Sequence, residues 1–364
     1  MRPDRGIMYP AQPLASKTLP EPSRAESTIM FREAAEAALV VEAQLKRNAE
    51  VMNQLAAEFA SRAKGVVVTL ARGSSDHAAT YARYLIETRL GILTSSAAPS
   101  VTSLYSSGAH LRDTIVLAIS QSGRSPDLLA SAEAARAAGA YLVALVNADD
   151  SPLGKLAHCA IPLSAGEERS VAATKSFIAS LAAIAQLVAS WSGDPDLRAA
   201  LDKLPAQLRQ AWDLDWSKAI ARFRDAENLY VIGRGLGLGI AGEAALKFKE
   251  TCGLHAEAFS SAELRHGPMA IVRQGFPVLL FAQADETRDG MTTLARDLEA
   301  QGAEVTTVGL REAYAGALPV IDADPATTPL LQIQSFYRMV NALAVARGYD
   351  PDRPRHLSKI TETM

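Results

Sequence analysis

Cysteine is scarce in this sequence, and its scarcity excludes two kinds of protein. Cys159 and Cys252 are the only cysteines among 364 residues, so the chain cannot carry the disulfide framework of a small secreted protein. The two thiols also lack the spacing of a metal site. Because so little cysteine is typical of a reduced compartment, we expect a cytoplasmic protein. Since no metal-ligand spacing appears, we also expect no metal, and we expect no other cofactor.

Long apolar runs and an excess of either charge are missing as well. No apolar run approaches the roughly 18 residues of a membrane-spanning helix. The charges nearly cancel, at a net −3, so no overall field attracts nucleic acid or an anionic membrane, and we expect neither as a partner. Residues 1–27 are polar, rich in proline and without the apolar segment of a signal peptide, which predicts a disordered lead.

What the sequence does contain is an internal repeat. Apolar runs rich in β-branched residues alternate with alanine-rich helical patterns, which predicts parallel sheets wrapped by helices. Three pairs of landmarks keep an offset of 162 or 163 residues: Arg72 and Arg234, Val116 and Val278, and Gly139 and Gly302. We therefore predict an α/β protein with two tandem lobes of one doubly wound, flavodoxin-like fold.

The repeat sets the expected division of the chain. We predict a first lobe at 28–200, a helical connector at 201–214, a second lobe at 215–345 and a C-terminal tail at 346–364. The alternative is that any two α/β segments look alike at this level of detail.

Residues 120–125, here called the phosphate loop, have the composition of an anion site. The loop reads Ser120-Gln121-Ser122-Gly123-Arg124-Ser125 and is followed by a helical pattern with Pro126 at its first position. Free backbone N–H groups and the positive end of a helix dipole bind phosphate there. A shorter corner of the same kind, Gly73-Ser74-Ser75, follows the preceding predicted strand. The alternative interpretation is a serine-rich turn with an ordinary helix cap.

The second lobe is predicted to lack this phosphate site. At an offset of 162 residues, Ser120, Ser122 and Gly123 are replaced by Ala282, Ala284 and Asp285. An aspartate at this corner would repel a phosphate.

Gly237, Gly239 and Gly242 formally match the dinucleotide-binding pattern G-x-G-x-x-G. The predicted strand ends near Ile232, before the match, and Glu257 comes too early to be the ribose-binding acid. The sequence therefore does not favour a nicotinamide cofactor.

Acid and base candidates follow in the second lobe. Glu243, Lys247 and Glu250 are spaced i, i+4 and i+7, on one face of a helix. A surface salt-bridge ladder has the same spacing. His266 precedes Gly267-Pro268, so we expect it in a turn rather than in a helix interior. Histidine is a common acid–base catalyst, which makes His266 a candidate.

Together these segments resemble the isomerase half of glucosamine-fructose-6-phosphate aminotransferase, a member of the sugar-isomerase (SIS) family. The resemblance extends from about residue 28 to the C-terminus and departs from the family pattern at Arg72, Arg124 and Ala173. It rests on five segments in order: 120–125, 171–175, 243–250, 263–268 and 354–359.

The resemblance implies roles for particular residues. Glu250 would move a proton between C1 and C2 of a hexose 6-phosphate, with Lys247 managing the charge. His266 would open the sugar ring from the partner subunit of a homodimer, and Lys359 would reach the carbonyl from the tail, which closes the active site. The expected substrate-binding residues are Gly73, Ser74, Ser75, Ser120, Gln121, Ser122, Ser125, Val171 and Glu243.

The expected reaction is conversion of glucosamine 6-phosphate and water to fructose 6-phosphate and ammonia, because the sequence shows no glutaminase part. The alternatives are galactosamine-6-phosphate deaminase, fructosamine-6-phosphate deglycase, glutaminase-less aminotransferase and phosphosugar isomerase. A non-catalytic sugar-phosphate sensor is a further alternative, but it would leave the pair Glu250 and His266 without a purpose.

Overall fold

The apolar runs of both repeats form strands, and these build two five-stranded parallel sheets. The structure is a computed structural model that describes residues 22–62, 65–105, 107–108, 110–310 and 314–359. The strands of the first sheet are β1 (Val66–Leu70), β2 (Leu93–Ser96), β3 (Ile115–Ser120), β4 (Tyr141–Val146) and β5 (Cys159–Pro162). The strands of the second sheet are β6 (Asn228–Gly233), β7 (His255–Ser260), β8 (Pro277–Phe281), β9 (Glu304–Val308) and β10 (Ala317–Leu318).

Both sheets have the same strand order. The first runs β2-β1-β3-β4-β5 and the second runs β7-β6-β8-β9-β10. Numbered from the start of each repeat, each is 2-1-3-4-5, the flavodoxin-like order. The predicted fold class, two tandem doubly wound lobes, is confirmed.

Helices cover the sheets and join the two lobes in one core. Helices α8 and α13 are buried along most of their residues, and the main apolar cluster includes side chains from both sheets. The α-helices of the described residues are α1 (Pro22–Glu26), α2 (Ile29–Ala35), α3 (Ala37–Arg62), α4 (Ser74–Leu90), α5 (Pro99–Ser103), α6 (Pro126–Ala137), α7 (Pro152–Leu156), α8 (Lys175–Ser192), α9 (Pro195–Trp212), α10 (Ser217–Phe223), α11 (Gly237–Cys252), α12 (Arg288–Ala300) and α13 (Thr328–Ala346).

The structure differs from the predicted division at residues 22–27 and at the connector. The expected disordered lead lies outside the described residues for 1–21, and for 22–27 the expectation is wrong. There α1 forms because Ala25 is buried and its carbonyl accepts a hydrogen bond from Asn341 Nδ2 at 2.8 Å. The predicted connector overlaps the end of α9, and we retain 28–200 and 215–345 as the proposed lobes.

The glycines of the dinucleotide-like pattern make room for neighbouring groups. A Cβ at Gly239 would lie 2.6 Å from the carbonyl oxygen of His77 in α4, and a Cβ at Gly242 would lie 2.5 Å from the Nδ1 of the same histidine. A Cβ at Gly237 would lie 2.7 Å from Gln283 Oε1. Close approach of α11 to α4 therefore explains two of the three glycines without a nucleotide.

We expect Gly239→Ala to lower the free energy of unfolding by roughly 1–3 kcal/mol, because the new methyl group meets backbone that cannot rotate away. Urea unfolding followed by circular dichroism measures the change. The matched control is Gly290→Ala in α12, where a Cβ meets nothing within 4 Å, so the helix should gain up to about 1 kcal/mol. Equal stability of the two variants would contradict the packing role of Gly239.

Candidate active site

A cavity of about 340 Å³ lies at the carboxyl edge of the first sheet and includes residues from both lobes. This is the edge at which doubly wound folds bind ligands. The cavity is lined by Arg72, Gly73, Ser74, Ser75, Ile119, Ser120, Gln121, Ser122, Ser125, Leu128, Val171, Ala173, Lys247, Glu250, Leu357, Ser358 and Lys359.

The phosphate loop turns sharply at Gly123. This glycine has φ +61°, and a Cβ there would lie 2.7 Å from the Cβ of Ser151, so no other residue fits. Its N–H donates to Ser120 Oγ at 3.1 Å, which fixes the loop. Helix α6 begins at Pro126 as predicted, but the hydroxyl of Ser125 makes no capping hydrogen bond. That hydroxyl is therefore available to a ligand in the cavity.

The corresponding corner of the second lobe is filled by the protein's own groups. Asp285 Oδ1 accepts from the backbone N–H of Thr287 at 2.9 Å. The carbonyl of Ala282 accepts from Gln332 Nε2 at 2.6 Å. These contacts agree with a phosphate site confined to the first lobe, which stays a prediction.

Lys247 lies at the junction of the two lobes, with its ammonium surrounded by three oxygen groups. Nζ is 2.5 Å from Glu250 Oε2, 3.3 Å from Glu243 Oε1 and 3.1 Å from the hydroxyl of Ser74 in α4. The side chains of Lys247 and Glu243 are 1% and 0% exposed. A surface salt-bridge ladder, the alternative left open by the spacing, is therefore wrong.

Burial and the neighbouring carboxylates act in opposite directions on the pKa of Lys247. Burial alone would lower the pKa of Lys247, but the carboxylates of Glu243 and Glu250 outweigh it and raise the pKa above its ordinary value. Burial raises the pKa of Glu243, and the Lys247 ammonium only partly offsets that. Tyr337, whose pKa burial also raises, donates its hydroxyl to Glu243 Oε1 at 2.9 Å. Lys247 therefore stays charged while Glu243 retains a proton more readily than an exposed carboxyl.

The side chain of Lys359 enters the cavity from the tail and is held at its tip. Nζ donates to the carbonyl of Ser170 at 2.6 Å and lies 3.4 Å from Glu168 Oε2. Glu168 is buried and also accepts from Ser176 Oγ at 2.6 Å and from Thr174 N at 2.9 Å. Glu168 thus holds both the start of α8 and the tail lysine.

Two further carboxylates hold segments beside the cavity: Asp352 joins the tail to α2, and Glu33 joins α2 to the segment that precedes α8. Asp352 accepts from the backbone N–H groups of Ile29 and Met30 at 2.8 and 2.7 Å, at the start of α2. Glu33 of the same helix accepts from Ser170 N at 3.1 Å. The carbonyl of Asp352 accepts from Val171 N at 3.5 Å. No sequence pattern pointed to these acids, because each of them bonds a segment distant in the chain.

His266 is not brought into this cavity by its own chain. It is exposed, as the last residue of a 3-10 helix, Glu263–His266, rather than in an open turn. The helix stops there because Gly267 adopts φ +138°. A role for His266 therefore requires another subunit and stays a prediction.

Among the described residues, no cluster of three or more His, Cys, Asp or Glu side chains could hold a metal ion. None of the described helices combines the length and apolar character needed to cross a bilayer.

Comparison with known proteins identifies the family of these lobes. The family model of the SIS domain matches residues 61–190 and 222–311, which is more than half of the chain. Glutamine–fructose-6-phosphate aminotransferase of Aeropyrum pernix is 34% identical over 322 residues, covering 81% of this chain and 51% of that protein. The chain thus spans about half the length of the curated relatives it matches.

Solved structures share the whole two-lobed architecture. A predicted phosphosugar isomerase of Silicibacter pomeroyi has a TM-score of 0.85 at 44% identity, covering 89% of this chain and 100% of that one. The C-terminal domain of glucosamine-fructose-6-phosphate aminotransferase from Francisella tularensis has a TM-score of 0.79 at 24% identity, covering 90% and 98%. Glucosamine-6-phosphate deaminase of Thermotoga maritima has a TM-score of 0.74 at 20% identity, covering 92% and 100%. The last two likenesses concern the fold alone.

His77 of α4, which packs against α11, should make the stability of the fold sensitive to acid. Burial, with smaller contributions from Lys247 and Lys249, lowers the pKa of His77 from 6.5 to about 4. Between these two values the unfolded chain binds a proton that the folded chain does not, so the free energy of unfolding falls as pH drops from about 6.5 to 4. We expect this loss to reach up to about 3 kcal/mol.

Urea unfolding of His77→Gln at pH 4.5 and 7.5 measures this contribution, and the variant should lose less stability on acidification than the parent protein. The matched control is His255→Gln, which removes an exposed histidine on β7 and should keep the parent's pH dependence. If His77→Gln is as acid-sensitive as the parent, the assigned cause is wrong.

Proposed function

Because this chain belongs to the SIS-domain family, we propose that it is an enzyme that moves a proton between C1 and C2 of a hexose 6-phosphate and releases ammonia from glucosamine 6-phosphate. The observation that carries the proposal is the pairing of Lys247 with Glu250 at 2.5 Å within the cavity that also contains the phosphate loop. A phosphate at the loop would hold one end of the sugar, and the carboxylate of Glu250 would face its reacting end.

The reaction follows from these groups. In the open-chain amino sugar, Glu250 takes the proton from C2, and the electrons of that C–H bond form a C1–C2 double bond while the electrons of the carbonyl move to the C1 oxygen. The Lys247 ammonium stabilises the negative charge on this oxygen, which then takes a proton from water. Glu250 returns its proton to C1, and the nitrogen gives one N–H proton to the hydroxide left by that water, which leaves a neutral imine at C2. Water adds to the imine carbon, ammonia leaves, and fructose 6-phosphate remains.

Amine loss is the direction that the cavity can support by itself. Hydrolysis of the imine needs only water. The two cysteines lie elsewhere, Cys159 on β5 and Cys252 buried at the end of α11, so the described lining offers no thiol that could release ammonia from glutamine. In this proposal Lys359, held by Ser170 and Glu168, contacts the sugar carbonyl.

A second candidate is the isomerase half of an aminotransferase. Its specific support is the 34% identity to the Aeropyrum pernix protein, which exceeds the 20% to the Thermotoga maritima deaminase. The two candidates differ in what this chain does alone. Isomerisation of fructose 6-phosphate to its aldose, without release of ammonia from glucosamine 6-phosphate, would favour the isomerase half.

The test is release of ammonia and formation of fructose 6-phosphate from glucosamine 6-phosphate, with galactosamine 6-phosphate run in parallel to establish which epimer is preferred. We expect Glu250→Gln to lower kcat by about 100-fold or more, since the amide cannot accept the proton from C2. The matched control is Glu257→Gln on β7, an exposed acid, which should stay within twofold of the parent. Full activity of Glu250→Gln would rule out the mechanism.

If His266 acts across a dimer interface, two inactive variants should rescue each other. A mixed dimer of Glu250→Gln and His266→Asn chains contains one site with both native residues, so co-refolding the two variants should restore up to about a quarter of the parent activity. Each variant refolded alone is the control. No activity above the two separate variants would show that His266 is not supplied in trans.

A further inference from the structure

The phosphate loop has fewer backbone donors than an anion site at a helix start usually offers. Pro126, the first residue of α6, has no N–H group. The N–H of Leu128 is already taken, since it donates to Asp127 Oδ1 at 2.8 Å. The N–H groups of Gly123 and Arg124 donate to the loop's own hydroxyls. Within the described loop and first helical turn, donors for a doubly charged ligand are therefore few.

A buried acid makes this corner still less suited to an anion. The side chain of Asp127 is 1% exposed and lies in the first turn of α6, next to the loop. An unpaired buried carboxylate would be costly to the fold and would repel a phosphate. A cation is required here for both reasons.

Arg72 supplies that cation from the end of β1. Its Nε and one terminal nitrogen both contact Asp127 Oδ2, at 2.9 and 2.8 Å. This pairing uses one edge of the guanidinium and leaves the other terminal nitrogen without a hydrogen bond to the described residues. Arg72 also lines the cavity together with Ser120, Ser122 and Ser125.

We propose that Arg72 is a substrate-binding residue that contacts the sugar phosphate through its free edge while Asp127 holds the other edge. The planar guanidinium can bridge two anions in this way, since its five N–H donors point along fixed directions. The inference rests on the proposed function only in taking the ligand to be a sugar phosphate. It adds a positively charged contact to a loop whose other ligand-facing side chains are neutral.

The first test is isothermal titration with inorganic phosphate, which requires no turnover. We expect Arg72→Met to raise the Kd for phosphate by about 10-fold or more, the size of a lost charge-assisted contact. The matched control is Arg124→Met: the Arg124 side chain pairs with the exposed Asp150 at 3.4 Å and does not line the cavity, so the Kd should change less than twofold. Absence of phosphate binding by the parent protein, or equal effects of the two variants, would overturn the proposal.

A double variant separates direct contact from mere neutralisation of Asp127. In Arg72→Met/Asp127→Asn the buried charge is gone, while the asparagine oxygen can still accept from Leu128 N. If Arg72 acts only by neutralising Asp127, this variant recovers the parent's affinity and the proposal is wrong. If Arg72 contacts the phosphate, the affinity stays low although the thermal midpoint recovers.

Kinetics distinguish failure of this inference from failure of the proposed function. With glucosamine 6-phosphate as substrate, Arg72→Met should raise KM about as much as the Kd for phosphate and change kcat little. A parent protein that releases no ammonia, yet loses phosphate affinity in Arg72→Met, would reject the proposed function and keep Arg72 as a phosphate ligand. If the parent protein is active and Arg72→Met leaves KM and Kd unchanged, the role of Arg72 is rejected and the proposed function is kept.

Discussion

The site depends on one buried positive charge, the ammonium of Lys247. A charge removed from water is tolerated only where fixed partners surround it, and here these are two carboxylates of α11 and the hydroxyl of Ser74 in α4. Ser74 can reach Lys247 only because α4 and α11 approach closely at Gly239 and Gly242. The close packing of α4 against α11 therefore joins the two lobes and also gives the buried Lys247 ammonium one of its three partners.

The two lobes share a strand order but divide the chemistry between them. The first supplies the turn at Gly123 and a helix start that faces the cavity, whereas the second uses Asp285 to close the same corner with its own backbone. The helix that follows the first strand of the second lobe, α11, carries Lys247 and Glu250. Fold symmetry thus places equivalent loops in the two lobes, and the side chains of these loops make the two corners differ.

Much of this could be predicted from sequence, and the remainder could not for identifiable reasons. The strands at Val66–Leu70 and Pro277–Phe281, and the start of α6 at Pro126, follow from local patterns of apolar residues and caps. The spacing of Glu243, Lys247 and Glu250 predicted a shared face but not its burial, since burial depends on α4, whose Ser74 lies 173 residues before Lys247. Local pattern also gave no signal for Glu168, whose partners come from α8 and the tail. It likewise did not predict that residues 22–26 form a helix.

The hydrogen bonds from Ile29 and Met30 to Asp352 bring the two extremities of the described chain together. Seven residues beyond Asp352, the side chain of Lys359 lies in the cavity, and four residues beyond Ile29, Glu33 holds the backbone beside Val171. The two ends of the described chain are thereby joined to each other next to the cavity. A tag or fusion partner attached near either end of the described residues would therefore pull on contacts that lie beside this cavity.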